Sequence, residues 1–258
     1  MRAIRREMKI AICGKGGVGK STVSALLAGA MAASGRKVLA IDADPSPHLA
    51  RLLGISEEDV PVPIARMKEL LQERSQRNGP FYNMNPKVDD LPARFMKEAG
   101  PNIRLMVLGA IQQGGAGCAC AENAVLRNLL NMLLLSPDEE IILDMEAGVE
   151  HLGRGTIAGA DHILIVVQPY RGSIETAGRI DQLAKDLGIK SLQLVANGVM
   201  DQEDLEFIKD ASGVEPIGIF PASKEVRRAE RNGQPIYGVD PELDRAAADL
   251  LDRLAATT

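Results

Sequence analysis

Short runs of nearly continuous aliphatic sequence, separated by helical patterns, constrain the fold of this chain more than any other feature. The strand-like runs are Lys9–Cys13, Lys37–Asp42, Arg104–Leu108, Glu140–Asp144, His162–Gln168, Leu192–Ala196 and Val214–Phe220. Strands that are apolar throughout, rather than at alternate positions, are buried on both faces, as in parallel sheets. Helical patterns fall between them at Lys20–Ala33, Ile64–Arg74, Glu122–Leu135, Ser173–Leu187, Asp201–Lys209, Ser223–Arg231 and Pro241–Ala255. Such alternation requires right-handed crossovers and predicts an α/β fold, a single doubly wound, mostly parallel sheet flanked by helices. The domain is expected to span residues 8–258. Residues 1–7, with Arg2, Arg5 and Arg6, are expected to be a flexible, solvated extension, because the apolar run Met8–Cys13 is too short for a signal-peptide core. Only Gln76–Gly100, rich in Asn, Pro, Gly and Asp, breaks the rhythm, and it reads as a surface insertion with turns and one short extended piece.

Composition narrows the function classes. The 258 residues are 45% hydrophobic and 25% charged, with a formal charge of −5, as in an ordinary globular protein. No apolar run approaches the ~20 residues that a membrane-spanning helix needs. The acidic balance argues against nucleic acid as a partner. Three cysteines do not make a disulfide framework and suit a reducing, cytoplasmic setting.

The first apolar run leads into Gly14-Lys15-Gly16-Gly17-Val18-Gly19-Lys20-Ser21-Thr22, a phosphate-binding loop in its expected strand–loop–helix setting. Its glycines let the backbone wrap a nucleotide's phosphates at a helix N-terminus. Lys20 reaches the terminal phosphates, and the Ser21 hydroxyl ligates magnesium. Lys15 then has no assigned work inside its own subunit, which points to a partner. Cys13 reads as a small buried residue.

Further candidates end other strands at the same sheet edge, where α/β proteins bind ligands. In Asp42-Ala43-Asp44-Pro45, one carboxylate can sit near magnesium while the other orients or deprotonates the attacking water. The run Ile141-Ile142-Leu143 ends in Asp144, a second magnesium-side group, and Gly148 lets the backbone approach the γ-phosphate. Asn197 has both a donor and an acceptor with which to read a purine edge; its alternative is a turn-forming Asn-Gly pair. His48, His151 and His162 are isolated and are assigned no role.

Cys118-Ala119-Cys120 lies in a glycine-rich loop just after a strand and just before a helix, near whose N-terminus thiol pKa values fall. Two thiolates make half of a four-coordinate soft-metal site. An isologous homodimer would complete it with four sulfurs. A redox-active or incidental pair is the alternative.

Taken together, Gly14–Thr22 with its early lysine, Asp42-Ala-Asp-Pro and Asp144-Met-Glu-Ala-Gly resemble the deviant phosphate-loop ATPases that include MinD, ParA and the nitrogenase iron protein. Asn85-Pro86-Lys87-Val88, Gly117-Cys118-Ala119-Cys120-Ala121-Glu122-Asn123 and the stretch from Asp144 through Glu150-His151 to Thr156 resemble, more narrowly, the CooC-type nickel-insertion ATPases. The resemblance implies a magnesium-dependent ATPase that binds ATP and ADP and dimerises. Lys15 would reach the phosphates of the opposite subunit, Lys20 those of its own, Asp44 would activate water, and Ser21 would ligate magnesium with Asp144 behind it. Asn197 would contact adenine, and Cys118 and Cys120 would bind nickel or zinc at the dimer interface. The implied client is carbon monoxide dehydrogenase or acetyl-CoA synthase.

Two other functions fit parts of the pattern. Four interface thiolates can hold a [4Fe–4S] cluster, which would make the chain an iron–sulfur scaffold. A positioning ATPase would need a basic membrane- or DNA-binding face. Against it, Asp240, Glu242, Asp244, Asp249 and Asp252 outnumber Arg245 and Arg253 around the last helix.

Overall fold

The computed structural model describes residues 7–75, 83, 85–109, 119–136, 139–146, 159–186, 188–189 and 192–257, with side chains from residue 122 onward in the helix that begins at 119. Gly148, Cys118 and the Glu150-His151 pair lie outside the described residues, as does the side chain of Cys120.

An eight-stranded sheet runs through the molecule in the order β3-β4-β2-β5-β1-β6-β7-β8. Its strands are β1 (Lys9–Cys13), β2 (Val38–Ala43), β3 (Lys97–Glu98), β4 (Ile103–Val107), β5 (Glu140–Met145), β6 (His162–Val167), β7 (Leu192–Val199) and β8 (Gly218–Pro221). All neighbours pair in parallel except β3, which is antiparallel to β4. The helices are α1 (Lys20–Ala33), α2 (Leu49–Leu52), α3 (Lys68–Ser75), α4 (Leu91–Phe95), α5 (Ala119–Leu135), α6 (Arg171–Asp186), α7 (Gln202–Ser212), α8 (Lys224–Arg231) and α9 (Pro241–Ala255).

Period-two alternation along each strand divides the core between the two faces of the sheet. Ile10 and Ile12 of β1 join Leu26, Leu27 and Leu250 under α1 and α9. Ala11 and Cys13 of the same strand join Leu129, Leu130, Ile174 and Ile180 under α5 and α6. This double burial is why the strands read as continuous apolar runs.

Several boundaries differ from expectation for local reasons. The pattern over Ile64–Arg74 is a 3₁₀ turn at Ile64–Arg66 followed by α3, because Met67 leaves helical geometry at φ −85° and ψ 71°. The stretch expected to begin a strand at Val214 is still the exit from α7: Gly213 takes φ 66°, and β8 starts only at Gly218. The insertion at 76–100 contributes β3 and α4, and β3 turns back on β4 through Asn102 at φ 62°. Arg74 grips both oxygens of Asp90 at 2.8 and 2.7 Å, Asn128 of α5 donates to Asn85 at 3.1 Å, and Val88 and Leu91 are buried in the α5-side core. The described part of the insertion therefore docks on α3 and α5.

Among the described residues, no helix is long and apolar enough to cross a membrane.

Candidate functional site

Parallel strands bring Gly14, Asp42, Asp144 and Asn197 to one edge of the sheet, as the ends of β1, β2, β5 and β7. The loop between β1 and α1 needs glycine at two tight points. Gly14 has φ 143°, and a Cβ there would run into the Val166 carbonyl of β6; Gly19 has φ 89°, and a Cβ there would collide with Asn197. Gly19 also caps α1 and, having no side chain, makes no cap bond to the first-turn N–H groups. Those donors and the positive end of a 14-residue helix face the space where phosphate would lie.

The two loop lysines diverge. Lys20 is buried, and its Nζ turns back toward the Lys15 carbonyl at 3.5 Å. Lys15 is half-buried, and its Nζ lies 5.2 Å from the centre of the Tyr170 ring, a cation–π contact. Gly172, at the start of α6, leaves room for this ammonium, which would sit 2.8 Å from a Cβ there. Nothing in the sequence around Tyr170 announced this contact; its signal was only that β6 ends at the same edge of the sheet as β1.

The carboxylates separate by role. Asp42 and Asp144 are direct register partners on β2 and β5, and both are fully buried. Asp42 accepts from the Asp44 N–H at 3.1 Å on one oxygen and from the Leu49 N–H at 3.0 Å on the other. It thus organises the loop after β2. Burial pushes its carboxyl up to about 6, against the pull of those backbone donors. Asp44, half-buried, accepts from Ser46 N–H at 2.8 Å in a local turn and remains the more available carboxylate.

Asp144 is different. Neither of its carboxylate oxygens has a hydrogen-bond partner among the described residues. Burial pushes its pKa up to about 8; Asp42 adds to the rise, while the Ser21 hydroxyl and Lys20 offset it in part. Ser21 stands close by without reaching hydrogen-bond geometry on either oxygen. A buried carboxylate without a partner needs a proton or a cation. Hard oxygen donors beside a phosphate loop are of the kind that fits hydrated magnesium.

Asn197 is buried, and its Nδ2 donates to the Val18 carbonyl at 2.8 Å. The sequence pointed to its edge of the sheet but not to this bond. Cys13 is fully buried, with its Sγ 3.5 Å from the Leu164 carbonyl and its pKa pushed by burial to about 12, which makes it an inert core thiol. Beyond Asp44, a cavity of about 430 Å³ opens between Pro45, Arg66, Lys68, Gly109, Glu122 and Asn123, beside the N-terminal turns of α5. No group of three or more His, Cys, Asp or Glu able to hold a metal occurs among the described residues.

Comparison with known proteins accords with this geometry. Residues 9–236 match the CobQ/CobB/MinD/ParA nucleotide binding domain. The chain is 41% identical to the carbon monoxide dehydrogenase accessory protein CooC of Rhodospirillum rubrum, over 97% of this chain and 98% of that one. An uncharacterized ATP-binding protein of Methanocaldococcus jannaschii is 42% identical over 96% of each chain. Among solved structures, the MinD cell division protein of Aquifex aeolicus superposes with a TM-score of 0.68 at 25% identity, covering 98% of both chains.

Proposed function

The chain belongs to the CobQ/CobB/MinD/ParA family as a CooC-type deviant phosphate-loop ATPase, and we propose that it is an ATP-driven metallochaperone for a nickel enzyme. The observation that carries this reading is the nearly full-length match to a protein named as a carbon monoxide dehydrogenase accessory factor. The client would be carbon monoxide dehydrogenase itself or acetyl-CoA synthase, and the setting the cytoplasm.

Hydrolysis is the part the described residues account for best. Backbone N–H groups from Gly16 to Gly19 and the α1 terminus cradle the phosphates, and Lys20 neutralises them from within the subunit. Asp44 orients and deprotonates the attacking water, since Asp42 is already engaged by backbone donors. Ser21, with Asp144 behind it, would hold magnesium, which would supply charge neutralisation to the phosphates. Lys15 would leave Tyr170 and reach across a homodimer interface to the nucleotide of the partner subunit.

Cargo binding rests on Cys118 and Cys120. Because α5 follows a parallel strand, its N-terminus lies at the same edge of the sheet as the phosphate loop. Closing a homodimer over ATP would bring two Cys-x-Cys pairs together as a four-thiolate nickel or zinc site, and Gly148 would carry the state of the γ-phosphate toward it.

Equilibrium dialysis and sedimentation with a nonhydrolysable ATP analogue test this. The expected result is one nickel or zinc per dimer, lost in Cys118→Ser. One metal per monomer, unaffected by nucleotide and by that substitution, would sink the bridging model. Uptake of a visible-absorbing iron–sulfur cluster without nickel binding would identify a scaffold instead. ATP-dependent co-sedimentation with liposomes or DNA would identify a positioning ATPase.

A further inference from the structure

We infer that Asn197 is a positioning residue that ties the crown of the phosphate loop to β7, in addition to any contact with the base. Its place follows from alternation. Val195 lies in the core under α1 and Ala196 in the core under α5 and α6, so Asn197 returns to the α1 face. A register shift between Asn197 and Val199 interrupts the pairing with β8, which resumes at Val199, and Gly198 takes φ 71°. The carboxamide therefore leaves the strand directly beneath the loop.

Three observations converge there. Asn197 Nδ2 donates to the Val18 carbonyl at 2.8 Å across 179 residues of sequence. The same nitrogen fills the space that a Cβ on Gly19 would need. Within the loop, Val18 N–H reaches the Lys15 carbonyl only at a long 3.4 Å. The Val18–Gly19 peptide sets the direction of the α1 N-terminus and of the neighbouring N–H groups. A donor from β7 holds that peptide in place before any nucleotide arrives.

The bond also fixes the orientation of the amide. With Nδ2 committed to Val18, the Oδ1 has no hydrogen-bond partner among the described residues and is left as an acceptor. That acceptor complements the exocyclic amine of adenine and not the carbonyl of guanine.

The test separates this role from pure base reading. In nucleotide-free protein, Asn197→Ala should speed amide exchange in the segment Gly14–Thr22 by about three- to ten-fold, the worth of one net hydrogen bond. Exchange in α9 should stay unchanged. Asn197→Asp, which keeps the acceptor and loses the donor, should behave like Asn197→Ala. The affinity for magnesium tripolyphosphate, which has no base, measured directly by calorimetric titration, should be weaker in the alanine variant than in the wild type by a similar factor. Unchanged loop exchange in the alanine variant, or wild-type exchange restored by Asn197→Asp, would overturn the inference. So would faster exchange in α9 by the same factor, which would mark global destabilisation.

Discussion

Replacing Asp144 with Asn should stabilise the nucleotide-free protein at alkaline pH while abolishing hydrolysis. Asp144 is fully buried with no hydrogen-bond partner on either oxygen among the described residues, and its carboxyl is raised from 3.8 to about 8. A carboxyl with a raised folded pKa binds more protons in the native state than in the unfolded one. Its contribution to stability is therefore fully present below pH 3.8 and is lost as pH rises towards 8. Linkage across the interval from pH ~5 to ~8 gives a loss on the order of 3 kcal/mol, at about 1.4 kcal/mol per pKa unit. Asn keeps the shape and carries no charge, so it does not suffer this loss. Urea denaturation with chelator present, at several pH values over that interval, should show the stability of Asp144→Asn relative to wild type growing by about that amount as pH rises. A difference that stays constant with pH would refute the claim that a buried, unpaired charge waits there for a cation.

Other perturbations divide the site. Lys20→Ala should abolish nucleotide binding in a calorimetric titration, whereas Lys15→Ala should leave binding largely intact and reduce ATP-dependent dimerisation and turnover. Tyr170→Ala removes a cation–π contact worth about 0.5–1 kcal/mol. If the ring holds Lys15 back in the single subunit, dimerisation on ATP should tighten by about two- to five-fold in sedimentation, and no change in the Lys15→Ala background should accompany it. Gly19→Ala forces a Cβ into φ 89° and against Asn197, and should cost more than about 1 kcal/mol in thermal or urea unfolding along with nucleotide affinity.

Much of this architecture was legible because buried parallel strands write an unusually plain pattern. Ile10-Ala11-Ile12 and Ile141-Ile142-Leu143 are apolar on both faces, and the run Ile141-Ile142-Leu143 leads into Asp144, so these runs also pointed to the edge that carries the candidate site. The loop glycines and Lys20 were readable for the same reason, since backbone wrapping demands those residue types at those spacings. What the sequence left open depends on long-range geometry. Whether Asp42 or Asp44 is the freer carboxylate turns on the Leu49 N–H closing over Asp42, and no local pattern records that. The Asn197 bond to Val18 joins residues far apart in sequence, and Tyr170 meets Lys15 only because β1 and β6 are neighbours. The hairpin of β3 on β4 was missed because two residues of edge strand carry no alternation to detect.

The central claim is that ATP and metal favour the same dimer, and reciprocal binding tests it most directly. Nickel affinity measured with and without a saturating nonhydrolysable ATP analogue, and analogue affinity measured with and without nickel, should change by the same factor, on the order of 5- to 150-fold for coupling of typical size. Both changes should vanish in Cys120→Ser and in Lys15→Ala. Affinities that do not respond to one another would contradict the account.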